Sequence, residues 1–220
     1  MPKTAILLGG SGAVGSELLQ LLLADSRYEK IKLFARSSVN NINPKIEEHL
    51  INLFELSNYT DVFKGDEVYC CIGTTKAKTP DKKTYRDIDY GIPVAAAKLA
   101  AENNIGTYIV VSAIGADADS SIFYNRTKGE MQDAVLTEHI SKVHLLQPSL
   151  ILAQRKDNRI VEKLAEGFMW VINPLLFGGA AKYRSIKAAT IAKAMLWLAN
   201  NNYSKTIIQS DAIEDIGKKS

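Results

Sequence analysis

The chain has 220 residues, 46% of them hydrophobic, and its 27 basic and 24 acidic residues give a formal net charge of +3. This length suffices for one well-buried core and is short for two domains of ordinary size, so we expect a single domain over residues 1–220. The charged residues are scattered, and no basic block forms the electrostatic footprint of a nucleic-acid-binding protein, so we expect no nucleic-acid partner.

The two cysteines, Cys70 and Cys71, are adjacent in an apolar run, where a strand would point them to opposite faces. This arrangement disfavours a disulfide framework and a metal site, and it favours a reducing cytoplasm. The three histidines show no metal-ligand spacing either. No apolar run reaches membrane-spanning length, and the N-terminus enters a predicted core strand without room for a signal peptide. We therefore expect a cytoplasmic protein without a membrane partner or a bound metal.

A glycine-rich turn follows the first apolar run, Ile6–Leu8, and precedes a leucine-rich helical pattern over Glu17–Ala24. Gly9 allows a tight turn, Gly12 lets backbone N–H groups approach phosphate oxygens, and Gly15 lets the helix pack closely on its strand. The helix N-terminus adds free N–H groups and the positive end of a dipole. The stretch predicts a dinucleotide pyrophosphate site, and an ordinary glycine-rich turn is the alternative. The predicted contacts are Gly9, Ser11, Gly12, Ala13, Val14 and Gly15.

A second strand is predicted over Ile31–Arg36, which completes a βαβ unit with a parallel sheet and a right-handed crossover. Dinucleotide sites place an acidic residue about 20 positions beyond the glycines, where it binds the adenosine ribose. This chain has Ala35 there, followed by Arg36, Ser37 and Ser38. A guanidinium binds a 2′-phosphate bidentately, whereas a carboxylate would repel it. We therefore predict NADP(H) in preference to NAD(H), with Arg36 and Ser37 at the phosphate; a solvated arginine at a strand end is the alternative.

A third strand is predicted over His49–Leu53. Its carboxyl end is expected at the same sheet edge as the glycine turn. Parallel α/β sheets bind their ligands at this edge. Asn52 and Leu53 are therefore candidate contacts of the adenosine, with the Asn52 amide hydrogen-bonded to the adenine edge.

A fourth strand is predicted over Asp66–Gly73, and it is followed by small and hydroxyl-bearing residues. Gly73, Thr74 and Thr75 stand at its carboxyl end beside the point where the strand order reverses, so we expect them along the cofactor. The segment Lys76–Arg86 carries five basic residues. It is either a clamp for an anionic group or a solvated loop.

The remaining elements alternate as far as Pro148. They are a helix over Tyr90–Glu102, a strand over Thr107–Ser112, a helix over Phe123–Leu136, and a strand over Lys142–Gln147 that Pro148 closes at the predicted cofactor edge. This alternation predicts an α/β fold with a doubly wound parallel sheet in the order 3-2-1-4-5-6.

Beyond Pro148 the pattern weakens, and residues 150–220 are predicted to form a short substrate-side lobe of the same domain. They contain a charged segment, Gln154–Lys163, an apolar segment, Phe168–Phe177, a helix over Ser185–Asn200 and a late strand over Thr206–Gln209. The apolar segment would be a large exposed patch if it were solvated. We expect it to cover the substrate pocket or a subunit contact, and packing into the domain's own core is the alternative.

Tyr124 and Lys128 are four residues apart in a segment of helical character, so their side chains lie on one face about one turn apart. The pKa of free tyrosine is about 10, and acid–base work near neutrality needs a pKa lower by about 3. A nearby ammonium and the positive charge of an oxidised nicotinamide both favour the phenolate. Ser112, at the end of a strand, is placed to donate a hydrogen bond to a substrate carbonyl oxygen. These three residues predict hydride exchange with a carbonyl or alcohol carbon; a surface lysine packed on a half-buried tyrosine is the alternative.

Several motifs together resemble the atypical and extended branches of the short-chain dehydrogenase/reductase superfamily: Gly9-x-x-Gly12-x-x-Gly15, Ser112 and Tyr124-x-x-x-Lys128. More narrowly, the stretches 73–78, 88–90, 111–117 and 128–130 are similar to the Tat-interacting oxidoreductase family and its bacterial relatives, and the similarity extends to about Leu152. The resemblance implies a Rossmann fold with NADP(H), and a Ser112, Tyr124, Lys128 triad in which Lys128 also holds the nicotinamide ribose.

Two functions remain open from the sequence. The first is an NADP(H)-dependent oxidoreductase acting on a small carbonyl or alcohol compound, as a monomer or homodimer. Compared with sugar-nucleotide epimerases the carboxyl-terminal lobe is short, which disfavours a nucleotide-sugar substrate. The second is a dinucleotide-sensing regulatory or interaction protein with little turnover, because the resembling branch includes proteins described as regulators. The presence of Tyr124 and Lys128 favours the first.

Overall fold

The structure is a computed structural model that describes residues 2–152 and 183–219. Its strands are β1 (Lys3–Leu8), β2 (Tyr28–Ala35), β3 (Ile46–Leu50), β4 (Glu67–Cys70), β5 (Thr107–Val111), β6 (Lys142–Gln147), β7 (Ile151–Leu152), β8 (Ile186–Lys187) and β9 (Ile207–Gln209). Its helices are α1 (Ala13–Ala24), α2 (Lys82–Arg86), α3 (Ile92–Glu102), α4 (Phe123–Leu136), α5 (Ala188–Asn200) and α6 (Ser210–Gly217). A 3-10 helix spans Leu53–Tyr59, and a π turn over Asp87–Gly91 joins α2 to α3.

Seven strands form one parallel sheet in the order β3-β2-β1-β4-β5-β6-β9. The predicted doubly wound order 3-2-1-4-5-6 is confirmed, and the predicted late strand adds to it as β9, at the edge beside β6. Strand β1 lies inside the sheet next to β4, so the order reverses between these two strands. Strands β7 and β8 pair in a separate two-stranded sheet.

Both faces of the sheet are covered, which explains why its central strands read as continuous apolar runs rather than as alternating ones. Leu7 of β1 belongs to the hydrophobic cluster that contains Leu18 of α1 and Ile191 of α5. Its neighbour Ile6 belongs to the cluster on the other face, together with Leu99 of α3. Helices α5 and α6 are thus part of the same core as the glycine-turn unit. Whether residues from 150 onward form a substrate-side lobe stays a prediction.

The predicted position of the third strand is wrong by three residues, because β3 spans Ile46–Leu50 rather than His49–Leu53. It is an edge strand whose charged residues, Glu47 and Glu48, are half-buried, so it lacks the apolar run that marks the inner strands. Asn52 lies beyond the end of the strand, where its side-chain oxygen accepts the Phe54 N–H and caps the start of the 3-10 helix.

Candidate functional site

The glycine turn between β1 and α1 is closed by backbone contacts that leave no room for side chains. Gly9 has a φ of +83°, and a Cβ there would lie 2.8 Å from the Cys71 carbonyl oxygen. A Cβ on Gly15 would lie 2.1 Å from the Gly9 carbonyl oxygen. Gly12 is the residue before α1 and offers no side-chain cap, so the first N–H groups of the helix stay available to an anion. This cradle fits a pyrophosphate.

A cleft of about 280 Å³ leads from the glycine turn toward the loop after β2. It is lined by Gly10, Ser11, Ser16, Leu19, Gln20, Ser38, Val39 and Asn41. The structure therefore brings Ser11 of the turn and Ser38 of the loop into one concavity. Arg36 and Ser37 are exposed at the end of β2, directly before this loop, and their contact with a 2′-phosphate stays a prediction.

Three other predicted cofactor residues already have structural roles. The Asn52 amide nitrogen donates to Glu55 at 3.0 Å, and its oxygen accepts the Phe54 N–H at 3.2 Å, so both of its polar atoms serve the 3-10 helix. Leu53 is buried in the core. Pro148 is buried at the end of β6, and its carbonyl accepts the Ile114 N–H. Their contacts with a cofactor stay predictions.

The loop after β4 is tied to a carboxylate that the sequence analysis did not assign to the site. The Thr74 N–H donates to Asp89 Oδ2 at 2.8 Å. The other oxygen, Asp89 Oδ1, lies 2.7 Å from Lys128 Nζ, and both of these side chains are buried. A Cβ on Gly73 would come within 3.5 Å of Asp89 Oδ1 and 3.8 Å of Lys128 Nζ. The predicted catalytic lysine thus reaches the predicted cofactor loop, with Asp89 between them.

Helix α4 presents three polar residues at intervals of four, Tyr124, Lys128 and Gln132. The Gln132 side chain donates to Ser112 Oγ at 2.7 Å, and its oxygen accepts from Gln147 at 3.1 Å. Because Ser112 Oγ is an acceptor in this network, its own O–H remains to be donated to another group. Gln132 and Gln147 were missed from sequence; the spacing of Gln132 from Lys128 was the available signal.

Tyr124 does not have the lowered pKa that acid–base work near neutrality requires. Burial of its ring raises its pKa, the Lys128 ammonium opposes this shift, and the Asp89 carboxylate adds to it. The ring packs edge-on against Tyr85, with centroids 6.1 Å apart, while the residue as a whole stays 39% exposed. Lys128 therefore lowers the pKa of Tyr124 as expected, but without a bound nucleotide the effects of burial and of Asp89 are larger.

The basic segment before the site is solvated: its first part is a loop, and its last five residues form α2. Lys76, Lys78 and Lys82 are exposed, and Lys83 pairs with Asp87 at 3.0 Å on the surface. Nothing in these contacts gathers the lysines around one point, as a clamp for an anion would require.

Gly129, the residue after Lys128, fixes the distance between α4 and the loop that follows Ser112. A Cβ there would lie 2.1 Å from the Ala118 nitrogen and 2.2 Å from the Asp117 carbonyl carbon. These are backbone atoms, so no side-chain rotation relieves the collision. The helix carrying Tyr124 and Lys128 therefore needs glycine at this position to reach the strand end.

Gly129→Ala should lower the free energy of unfolding by about 1–3 kcal/mol, the usual cost of overpacking. Urea denaturation followed by circular dichroism measures it. Gly91→Ala is the matched control, because Gly91 has helical dihedral angles and a Cβ there meets nothing within 4 Å. The control should be neutral or stabilising by up to about 1 kcal/mol. Equal effects of the two substitutions would contradict the packing argument.

Comparisons of the sequence with known proteins find relatives that match nearly the whole chain. The chain is 27% identical to the protein HTATIP2 of Rattus norvegicus, over 99% of this chain and 90% of the relative. It is also 27% identical to FMP52-1, a mitochondrial protein of Scheffersomyces stipitis, over 92% of this chain and 90% of the relative. The chain is a relative of HTATIP2 and the FMP52 proteins. This confirms the resemblance to the Tat-interacting oxidoreductase family, although no family model matches the chain.

Solved structures confirm the fold. The chain superposes on a UDP-N-acetylglucosamine 4-epimerase of Methanobrevibacter ruminantium M1 with a TM-score of 0.70 and 16% identity, over 94% of this chain and 75% of the epimerase. It superposes on ElxO, solved with NADP bound, with a TM-score of 0.69 and 14% identity, over 94% of this chain and 96% of ElxO. At such identities the match establishes the Rossmann-type architecture.

The predicted cytoplasmic localisation is wrong by these comparisons, because the FMP52 relatives from several fungi are named as mitochondrial proteins. Cys70 and Cys71 are free thiols, but free thiols report the redox state of a compartment rather than its identity. None of the helices in the described part of the chain is both long and apolar enough to cross a bilayer. The apolar segment Phe168–Phe177 and the charged segment Gln154–Lys163 lie outside the described residues.

Proposed function

We propose that this protein is an NADP(H)-dependent oxidoreductase that transfers a hydride between the nicotinamide and the carbonyl or alcohol carbon of a small substrate. The observation that carries the proposal is the position of Lys128. Its buried ammonium lies beside the loop after β4 and one helical turn from Tyr124, and Gln132 of the same helix donates to Ser112. Helix α4 therefore links the loop after β4, the proposed acid–base residue Tyr124 and the proposed carbonyl-binding residue Ser112.

The turn before α1 supports a dinucleotide, because its close backbone approaches require glycine at Gly9 and Gly15, and because the first N–H groups of the helix have no side-chain cap and stay available to an anion. ElxO was solved with NADP, and the neighbour MoeE5 with NAD. A bound nicotinamide supplies the hydride acceptor or donor. Gly9 to Gly15 would hold the pyrophosphate, and Lys128 the ribose nearest the nicotinamide.

The side chains divide the remaining work. The Ser112 O–H, left over from its bond with Gln132, donates to the substrate oxygen and stabilises charge that develops there. Tyr124 exchanges a proton with the same oxygen as general acid or base. The Lys128 ammonium favours the Tyr124 phenolate, and an added cationic nicotinamide pushes in the same direction, against the burial that raises the pKa of Tyr124.

We still expect a small-molecule carbonyl or alcohol substrate and no nucleic-acid or membrane partner. We also expect the protein to be a monomer or a homodimer.

The direct test is to identify the nucleotide that the purified protein retains and then to follow NADPH absorbance over a panel of aldehydes and ketones. Reduction of a panel member, lost in Ser112→Ala with cofactor affinity kept, supports the proposal. A protein that binds no dinucleotide would refute it.

A dinucleotide-sensing protein with little turnover is the second candidate, and the raised pKa of Tyr124 favours it. A protein that binds NADPH, reduces no panel member and changes its association with another protein when NADPH is added would fit this reading.

Arg36→Ala should weaken NADPH binding about 10- to 150-fold, the equivalent of losing a charge-assisted contact of about 1.5–3 kcal/mol. NADH affinity should stay unchanged, since NADH has no 2′-phosphate. Isothermal titration calorimetry measures both. Arg27→Ala is the matched control, because Arg27 precedes the same strand at its opposite end and pairs with Asp25. If the parent protein bound NADPH and NADH equally, Arg36 would be only a solvated strand end.

A further inference from the structure

A buried carboxylate with two partners stands beside the proposed active site. Asp89 is fully buried in the π turn between α2 and α3. One oxygen accepts the Thr74 N–H at 2.8 Å, and the other lies 2.7 Å from Lys128 Nζ without the angle of a good hydrogen bond. Asp89 therefore joins the loop after β4 to the lysine of α4.

Stability alone is a poor reason for this arrangement. Taking two charges out of water is costly, and a buried ion pair is often no more stabilising than apolar residues of the same volume. A π turn in a helix is also uncommon and is frequent at functional sites. Here the extra residue of the turn places a carboxylate where the cofactor loop and the catalytic lysine meet.

We propose that Asp89 is a positioning residue of the oxidoreductase: it holds the Lys128 ammonium between the loop after β4 and Tyr124, and it offsets part of the ammonium's charge. The inference rests on the proposed function. By this account, Asp89 limits how far Lys128 favours the Tyr124 phenolate until a cationic nicotinamide adds its own charge.

The charges around Tyr124 support this balance. Lys128 lowers the pKa of Tyr124 and Asp89 raises it. The neighbouring Tyr85 phenol is neutral near pH 7 like any tyrosine, and burial raises its pKa further. The Tyr85 hydroxyl is buried and has no hydrogen-bond partner among the described residues, so it does not donate to Asp89.

Two other charged groups on these elements pair with each other. Arg86, which ends α2, contacts Glu130 of α4 and stacks on the Tyr90 ring at 4.3 Å. Cys70, at the end of β4, stays a neutral thiol because burial raises its pKa. Lys128 and Asp89 are thus the pair that acts on Tyr124.

Asp89→Asn tests the inference, because the amide keeps an acceptor for the Thr74 N–H and removes the charge. Loss of a negative charge beside a phenol favours the phenolate. The Tyr124 titration midpoint should therefore fall by about one pH unit. It is measured in the protein without nucleotide by NMR of ¹³Cζ-labelled tyrosine, with Tyr124→Phe identifying the resonance. With nucleotide bound, the part of the pH profile of kcat that reflects the titration of Tyr124 should move to lower pH by a similar amount.

Glu130→Gln is the matched control, since it removes a carboxylate from the same helix, two residues beyond Lys128, and should leave the Tyr124 midpoint in place. If Asp89→Asn does not fold, Asp89→Ser keeps an acceptor in a smaller side chain and takes its place. A Tyr124 midpoint that stays unchanged or rises in the neutral variant overturns the inference.

The two proposals fail separately. If the parent protein reduces no carbonyl compound, the proposed function fails, but the NMR titration still decides whether Asp89 controls Tyr124 through Lys128. If the parent is active and the midpoint does not move, Asp89 is a structural residue and the proposed function stands.

Discussion

Tyr124→Phe should lower turnover about 10²–10⁴-fold, the range that a general acid–base residue contributes, and should change NADPH affinity little. The substitution removes one oxygen and keeps the ring, so the edge-on packing against Tyr85 persists and the glycine cradle is untouched. Steady-state kinetics on a carbonyl compound that the parent reduces, together with calorimetric titration of NADPH, measures both effects.

Tyr203→Phe is the control for this experiment. Tyr203 also packs edge-on against other rings, those of His144 and Trp197, but no predicted site residue lies among these contacts. The turnover of the Tyr203→Phe variant should match that of the parent. Full activity of Tyr124→Phe would show that the phenol is structural and would end the proposed mechanism.

Lys128→Met should lower the free energy of unfolding by about 3–5 kcal/mol, because it leaves the Asp89 carboxylate buried without its counter-charge. It should also reduce turnover more than Tyr124→Phe does, since both the phenolate and the ribose lose the ammonium. Urea denaturation at pH 7 measures the first effect and NADPH-linked kinetics the second.

Adding Asp89→Asn to Lys128→Met should restore most of the lost stability without restoring turnover, because the pair is then neutral on both sides. Lys83→Met is the control, as it removes a lysine from the surface pair with Asp87, where solvent screens the charges and little should change. A Lys128→Met variant as stable as this control would show that the buried Asp89 carboxylate does not depend on the Lys128 charge.

The parts of the site that depend on local spacing were predictable from sequence. The spacing of Gly9, Gly12 and Gly15 predicts a tight turn, and the close backbone contacts of the structure explain why glycines are needed there. Tyr124 and Lys128 share a helix face because they are four residues apart. The inner strands were predictable as well, since burial on both faces makes them continuous apolar runs.

What could not be predicted depends on contacts between distant segments. In the sequence, Asp89 is an acidic residue near the start of a predicted helix, and nothing local indicates its partner. Only the packing of the π turn against α4 brings Asp89 to Lys128. Strand β3 was misplaced because an edge strand is half-solvated and carries Glu47 and Glu48 among its five residues. Sequence patterns report the burial of a segment, not the identity of its neighbour.

The packing of α5 on α1 has a consequence for biosynthesis. Leu18 and Leu22 of α1 share one hydrophobic cluster with Ile191 and Met195 of α5, so residues of α1 are covered by residues that are synthesised much later. Domains fold largely as units during synthesis, and uncovered apolar surface invites aggregation. The nascent chain therefore carries leucine side chains of α1 that α5 does not yet cover until α5 has left the ribosome, and this interval is the one in which its aggregation is favoured.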